Sequence, residues 1–229
     1  MLEQRLTEIL KSNKLRQKLI THPFFDKIAS ADLSRGQVAT FLGQWWHPLH
    51  YFPVFLSRLI SVAPQIHVKT AISKILFQEL GEGDAARAHE VIYVDTMTPL
   101  GFGRSDVSGA APLPATARLV AAYAESSAEM LAGLGFLYGT EVADLAMVSG
   151  IGTAVRRVTS ATRLAWVDIH VQLEPEHIAR ANDTVALGFS EAEEMALLAG
   201  AEAMWRHWIA FFDELERAVF VPQHASVAS

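Results

Sequence analysis

His170-Val171-Gln172-Leu173-Glu174-Pro175-Glu176-His177 sets two imidazoles and a carboxylate at positions 1, 5 and 8 of one short segment. At about 100° per residue on a helix, a step of four ends roughly 40° past its start and a step of seven about 20° short of it. His170, Glu174 and His177 therefore share one helical face and converge on one point, as metal-ligating groups must. Ile169, Val171, Leu173 and Ile178 make the segment largely apolar, so at least one face has to be packed rather than solvated. Pro175 disfavours α geometry at Glu174, and a kink or restart of the helix is expected there.

Upstream, a second stretch offers the same chemistry: Glu79-Leu-Gly-Glu82-Gly-Asp-Ala-Ala-Arg-Ala-His89. Glu82 and His89 are seven apart, hence on one face if the helix is continuous. Gly81 and Gly83 each cost about 1 kcal/mol in a helix interior, and a break there would instead let Glu79 swing round to His89. Both carboxylates stay candidates, and the two glycines together weaken the segment by about 2 kcal/mol, so local ordering is expected to couple to metal binding. A third carboxylate, Glu141, lies among Leu137, Val142, Leu145 and Met147, where burial is costly unless it is paired. Asp144 is its rival one turn on. His47 and His50 are three apart, but Trp45, Trp46, Tyr51, Phe52 and Phe55 around them favour packing or pocket lining over ligation.

Around these stretches the chain reads as helices. Leu2, Leu6, Ile9 and Leu10 recur at helical spacing until Thr21-His22-Pro23; Asp32 or Ser34 can cap the next helix, which Pro48 and Pro53 are expected to interrupt before it resumes towards Val62. Residues 98–114 are turn-rich and read as a surface connection. Helical patterns cover 115–130, 134–147 and 191–220, and Gly150 and Gly152 precede the segment that delivers His170. Strand alternation is short-lived, so the fold class expected is all-α, a single bundle of about seven helices over residues 1–222 with a frayed tail at 223–229.

Composition narrows the function. In 229 residues, 51% apolar, there is enough for one sizeable core. The net charge of −6 is spread without a basic block, so no nucleic-acid partner is expected. Cysteine is absent, which removes disulfides, thiolate metal sites and a cysteine nucleophile. The amino end lacks the order of a signal peptide and no unbroken apolar run looks long enough to span a bilayer, so the expectation is a cytoplasmic protein with no membrane partner. Bundles build metal sites from inward Glu and His on facing helices, and Glu79 or Glu82, His89, Glu141, His170, Glu174 and His177 are such a set. Six N/O ligands including carboxylates exceed one tetrahedral zinc and suit two ferrous ions, with manganese as the alternative.

The order of these residues, Glu, then His, then a lone Glu, then His-x-x-x-Glu-x-x-His, resembles the heme-oxygenase-like diiron oxidases, the iron-containing redox enzymes of the TenA/PqqC-like superfamily. The resemblance extends from Gln44-Trp-Trp-His-Pro-Leu-His-Tyr-Phe-Pro53 through Asn182. Glu174 stands where Asp is more frequent, and Glu79, if it is the opening ligand, is further from His89 than is usual. The resemblance implies a seven-helix heme-oxygenase-like bundle, two irons and O2 as co-substrate in the hydroxylation, desaturation or cleavage of a small amine, amino acid or fatty-acid-like molecule. A carboxylate on that substrate would want an arginine, for which Arg58, Arg118, Arg156, Arg157 and Arg163 are candidates. A homodimer is allowed for. The rivals are a metal-free ligand-binding or cofactor-independent member of the superfamily and a ferritin-like iron-binding protein; a thiaminase of the TenA type would need the missing cysteine.

Overall fold

Three short helices open the chain because polar side chains interrupt it twice: α1 (Leu2–Ser12), α2 (Lys14–Ile20) and α3 (Pro23–Ser30). Asn13 caps α2 by accepting from the Leu15 N–H at 2.8 Å. The buried His22 caps α3, its Nδ1 accepting from the Phe24 N–H at 3.2 Å with Pro23 in the first turn. Ser34 then opens α4 (Arg35–Val62) with a capping box shared with Gln37. The computed structural model describes residues 2–185 and 189–221, and the side chains of residues 2–5, 174–177, 180, 184 and 185 lie outside that description.

α4 corrects the sequence expectation of an interruption, since it runs unbroken through Pro48 and Pro53. Each proline forfeits one i→i−4 bond, about 3 kcal/mol in a helix interior. Phe41, Leu42, Trp45, Phe55, Leu56 and Leu59 on the same helix are buried, and at roughly 1.5–3 kcal/mol each their burial outweighs both losses. Next come α5 (Ile66–Glu79) and, beyond a tight turn, α6 (His89–Met97). Residues 98–114 are more than a surface connection: they hold α7 (Arg104–Ser108), whose Val107 is buried. Gly43 of α4 admits that segment, because a Cβ there would overlap the Asp106 carbonyl. Buried Gln44 fixes the exit, donating to the Ala111 carbonyl at 3.0 Å and accepting from the Leu113 N–H and the Thr116 hydroxyl, both at 2.8 Å.

The remaining helices are α8 (Pro114–Ser126), α9 (Met130–Val158), α10 (Ala165–Val185) and α11 (Glu191–Phe220). α9 passes straight through Gly150 and Gly152, which the sequence reading set before the next segment; Phe25 and Val167 occupy the space their side chains would need. α9 and α11 approach along a seam of small residues, where a Cβ on Gly135 would overlap the Leu197 carbonyl and one on Gly200 would come 2.7 Å from the Ala132 carbonyl. α9, although Glu141 and Asp144 break its apolar run, is long and apolar enough by composition to cross a membrane, yet 72% of its apolar window is buried in the bundle, as befits a core helix. α10 runs as one helix across Pro175 rather than restarting. The fold is all-α as expected, with no strand among the described residues. The described residues hold eleven α-helices rather than about seven, because Asn13 and His22-Pro23 split the opening segment into three, a turn separates α5 from α6, and α7 lies in the stretch read as a connection. The tail at 223–229 lies outside the described residues.

Candidate metal centre

Between α5 and α6 the chain reverses in a helix-terminating turn. The Gly81 N–H donates to the Gln78 carbonyl at 2.9 Å and the Glu82 N–H to the Phe77 carbonyl at 2.8 Å, the paired bonds of a Schellman ending. Gly81 takes φ +83°, and a Cβ there would overlap the Asp84 carbonyl and the Ala88 N–H, so no other residue fits. Gly83 follows at φ +94°, and Asp84 caps a short 3-10 turn before α6 starts at His89. Glu79 thus ends α5 on the face that buries Val68, Ile72 and Ile75. The reversal returns His89 to it, Nδ1 to Oε2 at 3.0 Å, with the side chains 2% and 5% exposed.

From α10, His170 closes the cluster. One ligand atom from each of Glu79, His89 and His170 lies within 4.8 Å of the others, and all three residues are buried. The His170 Nδ1 stands 2.7 Å from the Trp166 carbonyl, which can only accept, so Nδ1 carries the proton and Nε2 offers its lone pair. A backbone carbonyl holding one imidazole nitrogen so that the other faces a metal is a recurrent arrangement in metalloproteins. The donor set, one carboxylate oxygen and two imidazole nitrogens without thiolate, suits iron or manganese.

A cavity of about 50 Å³ opens on the cluster, enough for a few water-sized groups. Its wall combines Glu79, Glu141, Asp144 and His170 with Trp45, Pro48, Leu49, Phe52, Tyr123, Thr140, Trp166 and Trp208. One directed hydrogen-bond chain is built into it. The Thr140 hydroxyl donates to the Phe136 carbonyl at 2.9 Å, so the Tyr123 hydroxyl must donate to Thr140 at 2.7 Å, and the Trp208 indole donates to Tyr123 at 3.2 Å. Burial, reinforced by Asp144 and Glu141, holds the Tyr123 phenol well above its ordinary value and so keeps it a donor.

The structure brings Glu79, His89 and His170 together, and sets Glu141 and Asp144 on α9 across the same cavity. Glu82 is not part of it. It sits in the left-handed turn at φ +57°, its side chain 45% exposed and paired with Arg87 at 3.2 Å, because α5 ends before the seven-residue spacing can act. The side chains of Glu174 and His177 lie outside the described residues. His47 meets the Ala110 carbonyl at 2.9 Å and His50 meets Glu90 at 2.6 Å, and neither belongs to the cluster. Of the five candidate arginines none lines the cavity; Arg156 and Arg163 face Asp168 and Arg157 donates to the Ala31 carbonyl. The sequence does not mark Trp208, Tyr123 and Thr140 as wall residues. Only Trp166, four residues before His170, carried a positional signal.

The family model for the iron-containing redox enzymes matches residues 39–209. A comparison with curated proteins gives no match. Among solved structures, a CADD-like protein of unknown function from Nostoc punctiforme PCC 73102 superposes with a TM-score of 0.80 at 18% identity over 94% of this chain and 96% of its own. A domain of unknown function with a heme oxygenase-like fold from Shewanella denitrificans OS217 gives 0.73 at 17% identity over 95% and 91%. A TenA homologue from Pseudomonas syringae pv. tomato DC3000 gives 0.74 at 15% identity over 93% and 92%. The fold is therefore heme-oxygenase-like.

Proposed function

The chain belongs to the iron-containing redox enzyme family, and from that premise we propose that it is an O2-using iron oxidase working at the Glu79–His89–His170 cluster. The observation that carries this reading is the convergence of three buried ligating groups with the His170 tautomer set by Trp166. Glu79, His89 and His170 would hold one ferrous ion. Glu141, from across the cavity, together with Glu174 and His177 would hold a second. When bound, ferrous iron supplies O2 binding and the electron transfer needed to attack a C–H or N–H bond.

The chain's own contribution is shape and dryness. Trp45, Phe52, Trp166 and Trp208 exclude water and present flat apolar faces to a small substrate. Tyr123 is fixed as a donor by its bonds to Thr140 and Trp208, which keeps one polar point in an otherwise apolar wall. With Glu79 and Glu141 given to iron, Asp144 is the further carboxylate on a wall that carries no lysine or arginine among the described residues, and it favours an amine over a carboxylate on the substrate.

Anaerobic ferrous titration with elemental analysis, followed by O2 uptake against a panel of small amines, tests the proposal. Iron in the wild type, its loss in Glu79→Gln and His170→Ala, and partial loss in Glu141→Ala are the expected results. Undiminished iron in all three variants would refute it. Iron without substrate-dependent O2 uptake would mark a storage protein, and oxidation without metal a cofactor-independent member of the fold.

A further inference from the structure

A ladder of aromatic rings leads from the cluster to the surface. Trp166 lies 4.2 Å from His170 between ring centroids, Tyr93 lies 4.9 Å from Trp166, and Trp46 lies 6.4 Å from Tyr93. Trp46 is only partly buried and stacks at 5.2 Å and 15° on His50, whose side chain is 61% exposed. A second branch, Trp166 to Trp45 at 6.1 Å and on to Trp208 at 5.1 Å, ends inside the core. Indole and phenol are the most easily oxidised uncharged side chains, and electron tunnelling weakens exponentially with separation. Among the described residues, only the first branch offers short steps all the way to solvent.

We propose that Trp166 and Trp46 form an exit route for oxidising equivalents, drawing them out of the metal centre when it reacts with O2 with no substrate in place. The inference rests on the iron-oxidase reading. One electron passes from the Trp166 indole to the oxidised centre, and one from Trp46 refills Trp166. Trp46 is left as a cation radical, which takes its electron from a thiol or ascorbate in solution; that reductant is oxidised by one electron for each one delivered. Tyr93 is a bridge and not a stop. Phenol oxidation requires proton loss, and the buried Tyr93 hydroxyl donates at 2.9 Å to the Leu42 carbonyl, which cannot take the proton.

The test loads the full chain with ferrous iron, exposes it to O2 without substrate, and follows it by freeze-quench electron paramagnetic resonance and by peptide mapping of oxidised residues, with circular dichroism as the check on folding. The wild type is expected to give a tryptophan radical that ascorbate removes, with oxidation products at Trp46. Trp166→Phe loses the radical, Trp46→Phe moves the radical and the oxidation products inward from Trp46 to Trp166, and Tyr93→Phe keeps the radical at Trp46. Ferric iron without a tryptophan radical in the wild type overturns the route alone, as does a signal and oxidation map unchanged in Trp46→Phe. Loss of the signal in Tyr93→Phe overturns the indole-to-indole assignment. Failure to form ferric iron overturns the iron-oxidase reading and the route with it, so the two failures are distinct.

Discussion

Replacing His170 with alanine separates what the imidazole does for the fold from what it does for a metal. In the fold it donates one hydrogen bond to the Trp166 carbonyl at 2.7 Å and packs against the rings of Trp166 and His89 at 4.2 and 4.7 Å. The bond is worth about 1 kcal/mol and the ring contacts about 0.5–1.5. Truncation opens onto a cavity that already exists, so no sealed void adds to the cost. The metal-free variant should lose about 1.5–2.5 kcal/mol, and at roughly 2–4 °C per kcal/mol for a chain of this size its melting point should fall by about 3–10 °C. Ferrous iron at a hundred times its Kd adds about 2.7 kcal/mol to the wild type by mass action, or about 5–11 °C. His170→Ala should gain little of that increment. Anaerobic differential scanning fluorimetry with and without ferrous iron reads both quantities from one pair of melts. Equal iron-dependent increments in variant and wild type would remove His170 from the metal site, and an unchanged metal-free melt would show that the Trp166 bond contributes nothing.

Glu82→Gln should leave iron content unchanged and stability within about 0.5 kcal/mol, since the residue is exposed and outside the cluster; loss of iron would restore the seven-residue spacing to His89. Gly81→Ala combines a left-handed conformation, about 1–2 kcal/mol, with overlap against the Asp84 carbonyl, about 1–3 kcal/mol. A loss of about 2–5 kcal/mol in urea unfolding with weaker iron binding is expected, and wild-type stability would refute the turn as the device that aims Glu79. His22, His47 and His207 are all held below the ordinary histidine value, chiefly by burial. Their unfolded forms bind protons first, so stability is full above about pH 6.5 and falls as pH drops from there towards the folded values. Urea midpoints at about pH 7.5 and 5.5 should show that decline, reduced in His22→Asn, whose amide can still cap α3; a midpoint that rises on acidification contradicts it.

Part of the candidate site is legible in the sequence because its chemistry is local. His170 stood out by its spacing to Glu174 and His177, and Glu141 by its apolar neighbours. The choice between Glu79 and Glu82 was not settled by spacing, because it depends on whether a helix continues. Gly81 was the available sign: two hydrogen bonds of a Schellman ending and a φ of +83° need glycine at that place. Pro48 and Pro53 misled for the opposite reason, since local propensity predicts a break and the buried face of α4 overrides it. The cavity wall was hidden because Trp45, Tyr123, Trp166 and Trp208 come from four helices, and nothing in their separate contexts reveals that they meet.

The turn also changes what metal binding would do to the fold. Were Gly81 and Gly83 inside a helix, each would weaken it, and iron would be needed to order residues 76–92. In a turn at positive φ they are the residues the backbone requires, so that weakening disappears. Glu79 and His89 meet at 3.0 Å and His170 is held by the Trp166 carbonyl, so protein contacts alone orient the three ligating groups. A site oriented in this way gains from iron a binding increment rather than a folding transition, unlike small metal-dependent domains in which ligation and folding are one event. The bundle is then expected to keep its helical circular dichroism on treatment with a chelator while losing only the iron-dependent part of its melting point. Collapse of the helical signal with the metal would show instead that the ligands, and not the packing of α5, α6 and α10, hold this corner of the molecule.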